Sequence, residues 1–195
     1  MTQTGLLAFA RQIHFVEDRA TALERTVDAV QGATSAAWVA AYTRDDSGTF
    51  TRCTAAGDVP FGSPDAVDAD DPAIVMLRSE RGAIDGPEES VLAGTLVLPF
   101  LTAGGITGLL AAGPALHPYT PTERERLFVV ANAVGIALEL LQLRAVRKEL
   151  AVWRERAEWA EREVAVLHRV LDYAGPGSAA AGGSLAGNDS ATASS

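Results

Sequence analysis

The sequence has one cysteine, Cys53, and only three histidines, His14, His117 and His168. A single cysteine excludes an internal disulfide framework. The scattered histidines have no metal-ligand spacing, so neither a metal centre nor a cofactor is expected. Basic residues are scarce as well, 16 Lys and Arg against 25 Asp and Glu, for a net charge of −9. That balance argues against a nucleic-acid groove and against attraction to anionic lipid. The amino terminus lacks the basic lead and cleavage pattern of a secretory signal, which with the lone cysteine predicts a reducing, cytoplasmic location.

Charge itself is missing between Glu89 and Glu123. An uncharged run of that length raises the question of a membrane span. Gly104 and Gly105 divide it, and Pro99 and Pro114 would break a helix, so two buried strands of a hairpin account for it and no membrane span is expected. With 48% hydrophobic residues in 195, the chain can bury one good core.

What is present in quantity is helix. From Thr120 to Leu171 the pattern reads as one continuous helix, opened by a Thr120-Pro121-Thr122-Glu123 capping sequence and interrupted by no proline and only by Gly135. At 1.5 Å per residue it spans roughly 75 Å, more than a domain of this size can cover. Apolar residues from Leu127 to Leu141 occupy most of the circumference, as in a helix packed on a sheet. From Leu143 the spacing becomes strict 3-4: Leu143, Val146, Leu150, Trp153, Ala157, Ala160, Val164, Leu167 and Leu171. That is a coiled-coil seam with Leu143 at a. In a parallel, in-register pair Glu149 faces Arg154, Arg156 faces Glu161 and Glu163 faces His168. The first two pairs are opposite in sign, and the third becomes so when His168 is protonated; this favours a parallel homodimer, while an antiparallel pair depends on its register. Val152, Trp159 and Val166 form a second apolar line at c, wide enough for a further helix or partner.

The remainder is taken in order. Thr4 to Val16 carries a helical stripe, Asp18 caps a second helix from Arg19 to Gln31, and Gly32 ends it. Ser35 to Thr43 and Thr49 to Ala55 read as a hairpin around Arg44-Asp45-Asp46-Ser47-Gly48. Ala56 to Val91 is irregular and acidic, with one short helix started by Asp71-Pro72 and ending near Arg81, and a short strand at Ala83-Ile84. Thr95 to Leu101 and Ile106 to Ala112 are the central hairpin. After Tyr173 the composition falls to Gly, Ala, Ser and Thr, a disordered tail by composition. The division is therefore 1–142 for the domain, 143–172 for the coil and 173–195 for the tail. The fold class is α+β, an antiparallel sheet with terminal helices packed on one face and a long C-terminal helix continuing as a coiled coil.

Several stretches resemble a known family. Leu96-Val97-Leu98-Pro99-Phe100, Gly104-Gly105-Ile106-Thr107-Gly108-Leu109-Leu110-Ala111, Tyr119-Thr120-Pro121-Thr122-Glu123 and Ala131-Asn132-Ala133-Val134-Gly135-Ile136-Ala137-Leu138-Glu139 are similar to the C-terminal half of a GAF domain. The resemblance covers roughly residues 5 to 142, and its motifs are packing motifs that carry no chemistry themselves. It implies a small sensory or regulatory module, usually dimeric through its first and last helices, that passes a signal along a coiled coil to an output domain. No output domain follows in this sequence, which reads as a fragment of a larger signal-transduction protein or as a module whose output is a partner protein. The resemblance also implies a ligand pocket between the sheet and the irregular segment. Its candidate lining is Phe61, Ile74, Met76, Leu77, Leu98 and Phe100, with Arg78, Arg52 or Arg81 as an anchor for an anionic ligand.

No catalytic set is assembled. GAF-type methionine-sulfoxide reductases need more than one cysteine for their thiol-disulfide cycle. Cys53 lies in the early hairpin, away from the position of a bilin-attachment cysteine, and is expected to be a buried structural thiol. The Asn-Lys signature of cyclic-nucleotide GAF domains is absent, and the pairs Asp45-Asp46, Asp70-Asp71 and Glu88-Glu89 face no nucleophile or base. The expected function is a non-catalytic sensory module; the alternative is a docking or dimerisation module with no small-molecule ligand.

Overall fold

The structure, a computed structural model, describes residues 3–173. The expected tail lies outside the described residues. Helix α1 (Gln3–Gln12) leads through a 3-10 turn at Ile13–Phe15 to α2 (Arg19–Ala33). Asp18 caps α2 by accepting from the Thr21 N–H at 2.8 Å, and this hydrogen bond lowers the pKa of its carboxyl. Gly32 does not end α2. The helix runs on to Ala33, where the Thr34 N–H and hydroxyl both donate to the Val30 carbonyl and close the last turn.

Strands β1 (Trp38–Arg44), β2 (Phe50–Gly57), β3 (Ala66–Val67), β4 (Ile84–Asp85), β5 (Leu96–Thr102) and β6 (Gly105–Ala112) form one antiparallel sheet in the order β3-β2-β1-β6-β5-β4. The two-residue β3 has no periodicity to betray it; only pairing with Phe50 and Thr51 makes it a strand. Between β3 and β4, α3 (Pro72–Glu80) starts at Asp71 with proline in its first turn and ends at Arg81, whose left-handed backbone (φ 52°) closes it.

Alternation along the strands makes two cores. Val39, Ala41, Leu96, Leu98, Phe100, Leu110 and Ala112 face α1, α2 and the final helix, α4 (Pro121–Tyr173). The terminal helices thus pack on one face, as the pattern predicts. Ala40, Tyr42, Val97, Leu109 and Ala111 face the other way, onto α3 and the flanking segments.

Helix α4 is continuous. Its capping box is formed: the Thr120 N–H and hydroxyl donate to Glu123 at 2.9 and 2.8 Å, which lowers the Glu123 pKa. Its most apolar 18-residue window, with mean hydropathy 1.6, meets the length and composition of a membrane-crossing helix. Leu127, Val130, Ala131, Val134, Ala137 and Leu138 of α4 are, however, buried in the helix-side core. Gly135 sets how closely α4 lies on the sheet, because a Cβ there would sit 2.7 Å from the Leu101 carbonyl oxygen. One compact unit spans Met1–Ala145, and a second begins at Val146.

Candidate functional site

The residues expected to line one pocket are not brought together. Leu98 and Phe100 are fully buried in the helix-side core, while Ile74 and Leu77 are fully buried in the core on the opposite face. The sheet lies between the two pairs. Period-two alternation decides this: Leu98 and Phe100 share a parity, and it is their neighbour Val97 that joins the core toward α3. Met76 packs at the edge of the α3-side core, and Phe61 and Arg78 are exposed.

The space under α3 is occupied. Tyr42, Phe50, Ile74, Leu77 and Leu92 each have under 2% of their surface exposed. Tyr42 donates its hydroxyl to the Pro64 carbonyl at 3.0 Å, and burial raises its pKa. Asp71 ties α3 to the segment before β5: its carboxylate accepts from the Ala73 N–H at 2.8 Å, the Ser90 hydroxyl at 2.6 Å and the Val91 N–H at 3.1 Å. Of the candidate anion anchors, Arg52 is ion-paired with Asp65, while its Nη1 is buried without a partner. The Arg81 backbone is taken up in closing α3.

Cys53 is exposed, not buried. The β1–β2 register skips Cys53, since Ala41 pairs with Thr54 and Tyr42 with Arg52, and this irregularity leaves the thiol at the surface. The Cys53 Sγ lies 2.9 Å from the Thr43 hydroxyl. Among the described residues, no group of three or more His, Cys, Asp or Glu is placed to hold a metal ion.

The seam residues of α4 form the most extended apolar feature. Leu143, Val146, Leu150, Trp153, Val164, Leu167 and Leu171 are exposed along one stripe, with Ala157 and Ala160 between them. The second line, Val152, Trp159 and Val166, is exposed as well. Within the chain the Arg156 guanidinium lies over the Trp153 ring, 5.5 Å from its centroid. Counted back along the helix, the a positions fall on Ile136 and Val129, both exposed, and Val129 lines a shallow cavity with exposed Leu7 of α1. This extension is visible in the heptad phase, but the apolar richness of Leu127–Leu141 hides which members stay uncovered.

No family model matches this sequence, and no curated protein does either. Solved structures match its shape. The GAF domain of a phosphoenolpyruvate-protein phosphotransferase from Acinetobacter is similar over 71% of this chain and 92% of its own, at 12% identity and a TM-score of 0.59. The fold is that of a GAF domain. The GAF-B domain of DevS from Mycobacterium smegmatis is similar over 68% of this chain and 99% of its own, at 23% identity and a TM-score of 0.52. A free methionine-R-sulfoxide reductase from Neisseria meningitidis, solved with its substrate, is similar over 71% of this chain and 88% of its own, at 16% identity and a TM-score of 0.59. The GAF fold therefore accommodates an enzyme as well as GAF domains of other proteins, and residues rather than fold must decide between them.

Proposed function

We propose that this chain is a non-catalytic regulatory module of GAF fold that pairs as a parallel homodimer through α4 and relays a small-ligand or partner signal along it. The observation that carries the reading is the nine-residue seam from Leu143 to Leu171, set at 3-4 spacing and exposed on the single chain. Four apolar heptads left in water would be an unusual surface, and a second helix in register covers them. The pairs Glu149 with Arg154 and Arg156 with Glu161 then meet across the dimer. The signal passes to an output domain or a partner protein. Catalysis is not part of the proposal, because the one cysteine, Cys53, has no second thiol with which to complete a reductase cycle. The acidic balance supports a module without nucleic acid, and the free thiol supports a cytoplasmic one.

A second reading, a docking or dimerisation module with no small-molecule ligand, draws on the filled space under α3. A ligand entering there would have to displace Tyr42, Phe50 or Leu92. Both readings share the dimer. The mass of the Leu150→Asp, Leu167→Asp double variant, measured by light scattering after size exclusion, tests it. The wild type is expected as a dimer and the variant as a folded monomer. A variant that remains dimeric moves the interface to the domain helices, and a monomeric wild type defeats the proposal.

A further inference from the structure

Leu7, Ala10, Arg11 and His14 recur at the spacing of one helical face, and Val129 and Ala133 stand one turn apart on α4. These two faces line a single cavity of about 440 Å3 within the unit that ends at Ala145. Both helices also feed one core, α1 through Leu6 and Ala10 and α4 through Val130, Ala131 and Val134, so the cavity lies along their own line of packing. Ala10 is buried and Ala133 partly buried, while Leu7 and Val129 are exposed. The polar groups are few and of one kind. No Asp or Glu is in the lining. Among the described residues the side chains of Arg11 and His14 make no hydrogen bond or ion pair. The His14 Nδ1 is buried without a partner, which leaves Nε2 as the ring nitrogen open to a bound group.

An apolar lining with one unpaired guanidinium and an imidazole suits a ligand that is mostly apolar and carries a single negative charge. A dianion such as a phosphate monoester would leave half its charge unmatched, and the planar fork of arginine fits the two oxygens of a carboxylate. We propose that this cavity binds a small apolar monocarboxylic acid, its carboxylate at Arg11 and His14 and its hydrocarbon body across Leu7, Ala10, Val129 and Ala133. The inference rests on the regulatory reading and gives the small ligand of that reading a place of entry, on the face of the sheet opposite α3. Val129 is an a position counted back from Leu143, so the ligand touches α4 on the continuation of its pairing seam. A ligand that grips α1 and α4 together binds one spacing of the two helices better than another, and that difference in affinity is the requirement for a signal.

The test is calorimetric titration of the full chain with hexanoate, octanoate and phenylacetate, each added singly at millimolar concentration, with light scattering on the same samples. At least one acid is expected to give a saturable isotherm. Arg11→Gln should weaken it by about tenfold or more, because a charge-assisted pair is lost. Val129→Ser should weaken it as well, and the primary amide of the same acid should gain nothing from Arg11. All six lining residues belong to one chain, so the Leu150→Asp, Leu167→Asp variant should keep the isotherm. No isotherm for any of the acids overturns the inference, as does one that both substitutions leave unchanged or that vanishes in the Leu150→Asp, Leu167→Asp variant. The scattering mass keeps the two proposals apart: a wild-type dimer that binds no acid defeats this one alone, and a wild-type monomer that binds through Arg11 defeats the dimer reading alone.

Discussion

Gly135→Ala offers a test in which helix propensity and tertiary packing predict opposite signs. In an exposed helix, alanine in place of glycine stabilises by about 1 kcal/mol. Here the new Cβ would lie 2.7 Å from the Leu101 oxygen, 3.0 Å from the Leu101 nitrogen and 3.1 Å from the Phe100 carbonyl carbon. All three are backbone atoms of β5, so no side chain can rotate away. Restoring an ordinary contact of 3.4 Å from 2.7 Å moves α4 off the sheet by at least about 0.7 Å. A gap of that order forfeits a quarter to a half of each dispersion contact along Val130, Ala131, Val134 and Leu138. Overpacking of this kind costs about 1–3 kcal/mol, and with an unyielding backbone the upper end applies. Less the propensity gain, the net loss is about 2 kcal/mol. The assay is urea unfolding in the Leu150→Asp, Leu167→Asp background, so that dissociation of the proposed dimer does not enter. With a slope of about 2 kcal/mol/M, the midpoint should fall by about 1 M at unchanged slope. A midpoint that is unchanged or raised would refute the claim that Gly135 sets the helix–sheet distance.

Three further predictions follow from single contacts. Asp71→Ala leaves the Ser90 hydroxyl and the Val91 N–H without their acceptor and uncaps α3. A loss of about 2–4 kcal/mol is expected, with amide hydrogen exchange accelerated first across residues 86–94; uniform acceleration would deny the local tie. Tyr119, whose hydroxyl donates to the Gly113 carbonyl at 3.0 Å, has its pKa pushed up to about 12 by burial and, secondarily, by Glu123. The folded state therefore prefers the neutral phenol. Its contribution is fully present below pH 10 and is lost as pH rises from 10 toward 12, so Tyr119→Phe should flatten the alkaline limb of a stability-versus-pH curve. Cys53, being exposed, should react with a thiol reagent in the native protein at a rate close to that of the unfolded chain; protection by orders of magnitude would restore the buried thiol.

The long helix, the central hairpin and the Asp71-Pro72 helix were legible because each is specified locally. Capping residues, 3.6- or 3.5-residue periodicity and paired glycines act within a few positions of one another. The fold class followed, since a sheet with one row of helices is what those elements can bury. Elements specified by a neighbour were not legible. Strand β3 exists only because β2 offers it hydrogen bonds, and α2 passes through Gly32 because Thr34 completes its last turn.

The candidate pocket failed for a related reason. Leu98 and Phe100 are apolar on a strand whose residues are buried on both faces, so hydrophobicity does not reveal which face they serve. Register across β1 and β6 decides it, and it sends them to α1, α2 and α4. A register shift between β1 and β2 at Cys53 likewise leaves its thiol at the surface. The sequence by itself determined the locally specified elements and that α4 carries an apolar seam, because periodicity and capping are properties of the chain. Only the tertiary structure decided which side chains share a cavity, because facing depends on strand pairing between segments far apart in sequence.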